Sequence, residues 1–272
     1  MGTNTISEFY SAQSSTYDSL EGYSYWKILY QEYENWTKKH LGLANSILAD
    51  LGCGTGLTSD VLLEKNNTVF GLDLTRKLLQ SAAQRHKNKF YVIEGDITSL
   101  PFADGSFAGV LCLDTLEHIY DVQKALAELA RVCKKGATCI FDIPSAQILD
   151  MSYYFGYYGK SGFISALNGV LKNKAMFEWE IIDDDDRSQK LCTYRYNPKY
   201  FEKLVQSTGF SIVDKHGVHI STMLIPERIQ ANSNSTTLSK INNYLCMFDE
   251  FLNKIPFFQN RALYILFACK RV

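Results

Sequence analysis

The densest concentration of chemistry in the sequence is Asp50-Leu51-Gly52-Cys53-Gly54-Thr55-Gly56, which follows the apolar run Ile47-Leu48-Ala49. Glycines at this spacing let a backbone turn sharply and approach a ligand with no Cβ in the way. The pattern is GxGxG rather than the GxGxxG that cradles a pyrophosphate, which counts against a dinucleotide. Asp73 stands 21 residues beyond Gly52, where an acidic side chain can accept both hydroxyls of a ribose. In Gly95-Asp96-Ile97, Asp96 can accept from an adenine amino group while Ile97 covers the ring. Leu113-Asp114 and then Glu117-His118 follow the next apolar run. An imidazole near its free pKa takes a proton at neutral pH, so His118 is the candidate general base.

These residues need a frame that brings the ends of successive strands to one edge. From Ile47 to Ile143 short apolar runs alternate with helical patterns, the signature of a parallel sheet wrapped by helices. The runs are Ile47–Leu51, Thr68–Leu72, Phe90–Glu94, Phe107–Leu113 and Ala137–Ile143. Helices are predicted at Leu57–Lys65, Thr75–His86 and Asp121–Cys133, the last with Asp121 as N-cap and Lys134-Lys135-Gly136 as a basic last turn and glycine stop. Upstream, Trp26, Leu29, Tyr30, Tyr33 and Trp36 recur at helical spacing, so residues 1–45 read as helices over one edge of the sheet. Downstream, Asn197–Thr208 reads as helix, Phe210–Val213 as the start of a strand and Ala262–Ala268 as the final strand. Two stretches, 144–193 and 221–260, fall outside the alternation and are expected to be substrate-side insertions. In the second, Leu238, Ile241, Leu245, Phe248 and Leu252 fall on one helical face.

With its glycine loop, Gly71-Leu72-Asp73, Glu94-Gly95-Asp96, Leu100-Pro101-Phe102, Asp104-Gly105-Ser106-Phe107 and Leu116-Glu117-His118-Ile119, the stretch Ile47–Ile143 resembles the class I S-adenosylmethionine-dependent methyltransferases. The resemblance is to the small-molecule group that includes the ubiquinone and menaquinone biosynthesis enzymes. It resumes more loosely at Tyr194-Arg195-Tyr196 through Gly209-Phe210 and in Tyr264–Arg271. It implies a Rossmann-like α/β fold: a seven-stranded sheet with an antiparallel last strand, helices on both faces and a helical substrate cap. Residues 46–143 would be the cofactor-binding core of one methyltransferase domain spanning 1–272. By the same resemblance, Asp50, Gly52, Cys53, Gly54 and Gly56 would line the methionine moiety of S-adenosylmethionine. Asp73, with Leu74 beside it, would hold the ribose, and Asp96 and Ile97 would flank the adenine. The backbone of Leu113 would face the methionine amino group and Tyr17 the carboxylate.

A sulfonium is already a good leaving group, so such an enzyme mainly places a nucleophile in line with the methyl carbon and excludes water. A base is needed only if the nucleophile must lose a proton. Glu-His at this place also fits a structural role, and His216 and His219 read as structural. The aromatics between Tyr153 and Trp179 form either a lid over an apolar or glycosidic substrate or the packing of a cap. Asp183–Asp186 reads as a solvated loop, and no metal is expected. Arg195 reads as a salt-bridge partner rather than an anion site.

The expected acceptor is a hydroxyl on a secondary metabolite, sugar or quinone-like ring. A net charge of −1 without a basic stripe leaves nucleic acid a poor candidate. A chain of 272 residues that is 46% hydrophobic can bury one enlarged domain's core. Seven cysteines without a CxxC pair, no signal-peptide pattern and no membrane-length apolar stretch point to a reduced, cytoplasmic protein. A nicotinamide oxidoreductase should show GxGxxG and a placed Tyr-xxx-Lys. Tyr23/Lys27 and Tyr120/Lys124 match that pattern, but neither follows the fifth strand. A protein that binds the sulfonium without transferring its methyl, or uses it to shape a cyclisation site, remains the other alternative.

Overall fold

Side chains alternate between the two faces of a strand, and the apolar runs of this chain are buried on both. The computed structural model describes residues 3–14, 17–18, 24–147, 175–182, 190–222, 225 and 236–272. Two helices, α1 (Thr3–Gln13) and α2 (Ser24–His40), come first. Next come β1 (Ile47–Leu51), the one-turn α3 (Asp60–Leu63), β2 (Thr68–Asp73), α4 (Arg76–Arg85) and β3 (Phe90–Glu94). They are followed by β4 (Phe107–Cys112), α5 (Val122–Val132) and β5 (Cys133–Pro144). Beyond them lie β6 (Met176–Ile182), β7 (Lys190–Tyr196), α6 (Pro198–Ser207), β8 (Phe210–Val218), α7 (Thr236–Leu252), α8 (Pro256–Gln259) and β9 (Tyr264–Arg271).

The main sheet has seven strands in the order β3-β2-β1-β4-β5-β9-β8. β1 to β5 are parallel where they pair, and β9 runs antiparallel to both β5 and β8. The order reverses at β1, which lies between β2 and β4, and such a switch point opens a crevice at the carboxyl ends of the strands. Phe141, Ile143, Ile265 and Phe267 join one buried cluster with Leu126 and Leu129 of α5 and Phe201 of α6. Their strand neighbours Ile140, Leu266 and Ala268 join the opposite cluster, with Leu29, Tyr33 and Trp36 of α2 and Leu79 of α4. Fully burying each large side chain contributes about 1.5–3 kcal/mol, so helices on both faces are required rather than optional.

Close approach between these layers is tested at Gly109 in β4. A Cβ there would stand 2.2 Å from Leu41 Cδ1 and 3.2 Å from Leu48 Cδ2, both on buried side chains. Gly109→Ala is expected to destabilise the fold by about 1–3 kcal/mol through overpacking. The measurement is the urea midpoint at constant m; an unmoved midpoint would mean that Leu41 turns aside freely.

Several elements differ from their predicted bounds. The helix predicted at Leu57–Lys65 is one α-turn followed by a 3₁₀ turn in which Lys65 has φ 55°. Asp121 caps α5 as predicted, accepting from Lys124 N at 3.1 Å. That helix stops at Val132, and Lys134-Lys135-Gly136 belongs to β5, because Cys133 already pairs with Phe107. β8 runs to Val218 because β9 pairs with it along its length. In α7 the buried stripe includes Asn242 and Asp249, while Ile241 and Phe248 are exposed. Asp249 draws that face inward: it accepts from Ile220 N at 3.0 Å and Ser221 N at 2.6 Å. Of 144–193, the part expected to be helical cap, the described residues beyond β5 contain β6 and β7, an antiparallel pair rather than a helix. Tyr153 to Phe163 and Asp183–Asp186 lie outside the described residues. All seven cysteines are free, and no helix among the described residues is long and apolar enough to cross a membrane.

Candidate active site

At the carboxyl edge of β1 the chain must reverse within the glycine loop. Gly52 takes φ +82°, and a Cβ on it would meet Thr115 Oγ1 at 2.1 Å. Any side chain there is therefore both strained and obstructed. Gly52 N and Cys53 N donate to Leu72 O at 2.6 and 3.0 Å, tying the loop to the end of β2. One residue further, Asp73 Oδ2 accepts from Gly54 N at 2.9 Å and Oδ1 from Thr75 N at 2.7 Å. Each oxygen retains a lone pair, so one carboxylate both shapes the loop and stays available to a diol. After β3, Asp96 Oδ1 accepts from Thr98 N at 2.8 Å, which holds that turn open beside Ile97.

These turns wall a cleft with about 670 Å³ of free space, part of it open to solvent. Tyr17, Gly52, Gly54, Asp73, Leu74, Asp96, Ile97 and His118 all line it. Asp50, Cys53, Gly56 and Leu113 are set back from its wall. Asp50 is buried under the loop and accepts from Ser59 Oγ at 2.5 Å; Cys53 is likewise buried. Gly56 O contacts His86 Nε2 at 2.8 Å, and Leu113 O accepts from Thr115 Oγ1 at 2.7 Å. The amino-terminal segment closes the other side. Tyr17 Oη comes within 4.0 Å of where a Gly54 Cβ would be, and Asp18 accepts from Thr55 Oγ1 at 2.6 Å and pairs with Arg85.

Three cleft residues that the motif reading did not assign are Tyr10, Thr115 and Asp114. Tyr10 Oη lies 2.8 Å from His118 Nε2, across 108 residues of sequence. Burial pushes His118 down to about 4, so its imidazole is neutral. Among the described residues, its Nδ1 and the Oε2 of Glu117 have no hydrogen-bond partner. Burial first, then the charges of Asp142 and Asp114, push Glu117 well above the carboxylate range. Arg195 is buried, and its charge acts on Glu117 in the opposite sense. His219 Nδ1 is 2.8 Å from Thr222 Oγ1, a structural contact.

Asp114 has φ +46°, a left-handed conformation that few side chains adopt. It is held there because its N–H donates to Asp142 Oδ1 at 2.8 Å. Tyr33 Oη lies 2.7 Å from Asp114 Oδ1 and 2.8 Å from Asp142 Oδ2. One hydroxyl proton cannot serve two carboxylates, so this chain of three oxygens carries a second proton. Asp142 is the acid: it is fully buried, and desolvation followed by the charge of Asp114 pushes it well up. A protonated Asp142 would donate to Tyr33 and leave the Tyr33 proton for Asp114. Burial raises Asp114 to about 6 against the Tyr33 bond that lowers it, leaving a carboxylate at neutral pH. Its Oδ2 has no hydrogen-bond partner among the described residues.

Asp50 supplies a stability test. Burial raises it to about 7, against the opposing Ser59 bond. A carboxyl whose folded pKa is raised adds stability below its unfolded value near 4, and that contribution is lost as pH rises through about 7. At about 1.4 kcal/mol per tenfold in proton affinity, this amounts to as much as about 4 kcal/mol. Relative to Asp50→Asn, the wild type is expected to lose stability between about pH 4 and about pH 7 in urea titrations. Parallel pH profiles would show that Asp50 titrates normally.

A family profile described as methyltransferase domain matches residues 49–141, the span from β1 to β5. The chain is an S-adenosylmethionine-dependent methyltransferase. Its cofactor is S-adenosylmethionine. The methyltransferase is 27% identical over 268 residues to the uncharacterized protein MJ1252 of Methanocaldococcus jannaschii, covering 98% of this chain and 91% of that one. It is 31% identical over 106 residues to the ubiquinone biosynthesis O-methyltransferase of Methylococcus capsulatus, covering 38% and 45%. In three dimensions it matches an S-adenosylmethionine-dependent methyltransferase of Thermotoga maritima with a TM-score of 0.61 at 13% identity, over 98% and 100% of the two chains.

Proposed function

We propose that this methyltransferase acts on a hydroxyl of a small ring-bearing acceptor, and that Asp114 takes the hydroxyl proton. The observation that carries this reading is the Asp142–Tyr33–Asp114 chain, which aims an ionised carboxylate at the cleft with its second oxygen free. An amine acceptor that reacts in its neutral form needs no base to attack; a hydroxyl gains from one. The name of the Methylococcus capsulatus relative, an O-methyltransferase of ubiquinone biosynthesis, agrees with an oxygen acceptor on a quinone-like ring.

In this reading Asp73 accepts from the ribose hydroxyls, Asp96 and Ile97 take the adenine, and Gly52, Gly54 and Tyr17 face the methionine end. The cradle fits: the loop is bare of side chains where it borders the cleft, and Asp73 is already oriented by two backbone donors. Bound S-adenosylmethionine supplies an electrophilic methyl on a sulfonium. The acceptor hydroxyl would take that methyl and pass its proton to Asp114 Oδ2. Tyr33 and Asp142 spread the charge on Asp114 until that proton arrives. His118 holds a proton about a hundredfold less firmly than Asp114, from values of about 4 and about 6. It serves the acceptor as a hydrogen-bonding surface fixed by Tyr10. β7 touches both α1 and the turn at residues 116–118, so that strand borders the acceptor side.

The test is a panel of phenolic, quinol, sugar and amine acceptors, with S-adenosylhomocysteine release and product mass as readouts. Methylated phenols or quinols are the expected products. Transfer confined to amines would sink the oxygen reading, and cofactor binding without any transfer would favour the non-methylating alternative.

A further inference from the structure

Away from the cleft, three side chains converge from three elements. Glu32 on α2, His216 on β8 and Glu250 on α7 each offer one ligand atom, and these atoms all lie within 4.8 Å of one another. His216 Nε2 is 3.1 Å from Glu32 Oε2. Trp36 stacks on the imidazole with ring centres 5.3 Å apart and planes at 28°, which fixes the direction of that nitrogen. Among the described residues, the ion pair with His216 is the only one Glu32 makes, and Glu250 makes none. An imidazolium would answer one of the two carboxylate charges; a divalent cation answers both and still takes the imidazole as a neutral ligand.

We propose that Glu32, His216 and Glu250 bind one divalent cation of the zinc class, with water completing its coordination. Nitrogen and carboxylate ligands sit about 2.1 Å from such an ion, so neighbours in a tetrahedron stand about 3.4 Å apart. The Glu32–His216 edge, at 3.1 Å, is about 0.3 Å short of that length. The edges to Glu250 need to shorten by at most about 1.5 Å, which an exposed glutamate accomplishes by rotating its side chain. Two carboxylates with one imidazole suit zinc and its neighbours better than thiophilic ions, and three protein ligands leave a position open.

The consequence is mechanical. The cation would staple α2, β8 and α7 together at one point. Glu32 immediately precedes Tyr33, which holds Asp114 at the cleft, and Glu250 follows Asp249, which anchors the backbone at residues 220 and 221. Binding would therefore steady the frame from which the acceptor side is built, without contributing an atom to the reaction.

The experiment strips the full-length protein with chelator under reducing conditions. It then titrates Zn²⁺ by calorimetry and Co²⁺ by absorption, with Tm recorded with and without Zn²⁺. The expected result is one equivalent with micromolar or tighter affinity and a Co²⁺ ligand-field spectrum lacking thiolate charge transfer. Affinity should fall at least tenfold in both Glu250→Gln and His216→Gln. Zn²⁺ should raise the Tm of the wild type and leave that of Glu250→Gln unmoved. Glu250 is exposed, so its variant reports on binding in a folded protein, which circular dichroism verifies. The proposal is overturned by no uptake, by uptake unchanged in Glu250→Gln, or by a thiolate band marking binding at cysteines such as Cys246.

Discussion

Replacing Asp73 by alanine is expected to weaken S-adenosylmethionine binding by about 10²- to 10⁴-fold. A hydrogen bond to a charged acceptor contributes about 1.5–3 kcal/mol, and in the proposed binding mode the ribose presents two hydroxyls to this carboxylate. The same substitution strips the acceptor from Gly54 N and Thr75 N, bonded at 2.9 and 2.7 Å, so the glycine loop also loses its brace. Calorimetry with S-adenosylmethionine and S-adenosylhomocysteine measures the loss directly. Asp73→Asn separates the two effects, because its amide oxygen can still brace one donor while the charge is gone. Its affinity should lie between those of wild type and Asp73→Ala. An alanine variant within threefold of wild type would remove Asp73 from the cofactor site.

The second large effect is expected at Asp114. Asp114→Asn keeps the shape and an oxygen for Tyr33 but cannot take a proton, so kcat should fall by about 10²- to 10⁴-fold, the usual yield of a general base. Cofactor affinity should change little, because the carboxyl is not what holds the adenosyl group. In the wild type, kcat should fall as pH drops below about 6, where Asp114 becomes protonated. Methyl transfer should therefore be retained above that pH and lost below it, and the variant should lack this limb. His118→Gln is the matched comparison and is expected to cost less than tenfold. A profile in which His118→Gln abolishes transfer while Asp114→Asn retains it would return the base to the imidazole.

Both predictions draw on residues that differed in how readable they were. Asp73 was legible because its meaning is local: a strand, a glycine turn, a second strand and an acid at its end, all within one βαβ unit. The same holds for Asp96 and Ile97. Asp114 was visible as the end of a strand, but its role depends on Tyr33 and Asp142, which lie 81 and 109 residues apart from their partners in that chain of oxygens. Nothing in the spacing of Tyr33 distinguished it from the other apolar positions of α2, where it counted as one more ring on a buried stripe. His118 drew attention as an imidazole near a strand end, while the burial that lowers its proton affinity is a property of neighbours far away in sequence.

The insertions show the same limit at the level of elements. Leu238, Ile241, Leu245, Phe248 and Leu252 describe a helical face by hydrophobicity alone, and α7 forms where that pattern put it. Leu238 and Leu252 are buried as that pattern requires, but Asn242 and Asp249 share their stripe while Ile241 and Phe248 are exposed, because the backbone N–H groups of Ile220 and Ser221 take Asp249 as their acceptor.

The sequence by itself determined the parallel core, the glycine loop and the acids at the strand ends, since each depends on periodicity or on contacts within a few dozen residues. Only the tertiary structure decided that Tyr33 stands between Asp114 and Asp142, that His118 is held neutral by burial, and that Asn242 and Asp249 share the buried stripe of α7. It alone also brings Glu32, His216 and Glu250 together. Burial and charge are set by what the whole chain packs around a group, and those neighbours arrive from segments whose separation along the chain carries no trace of their meeting.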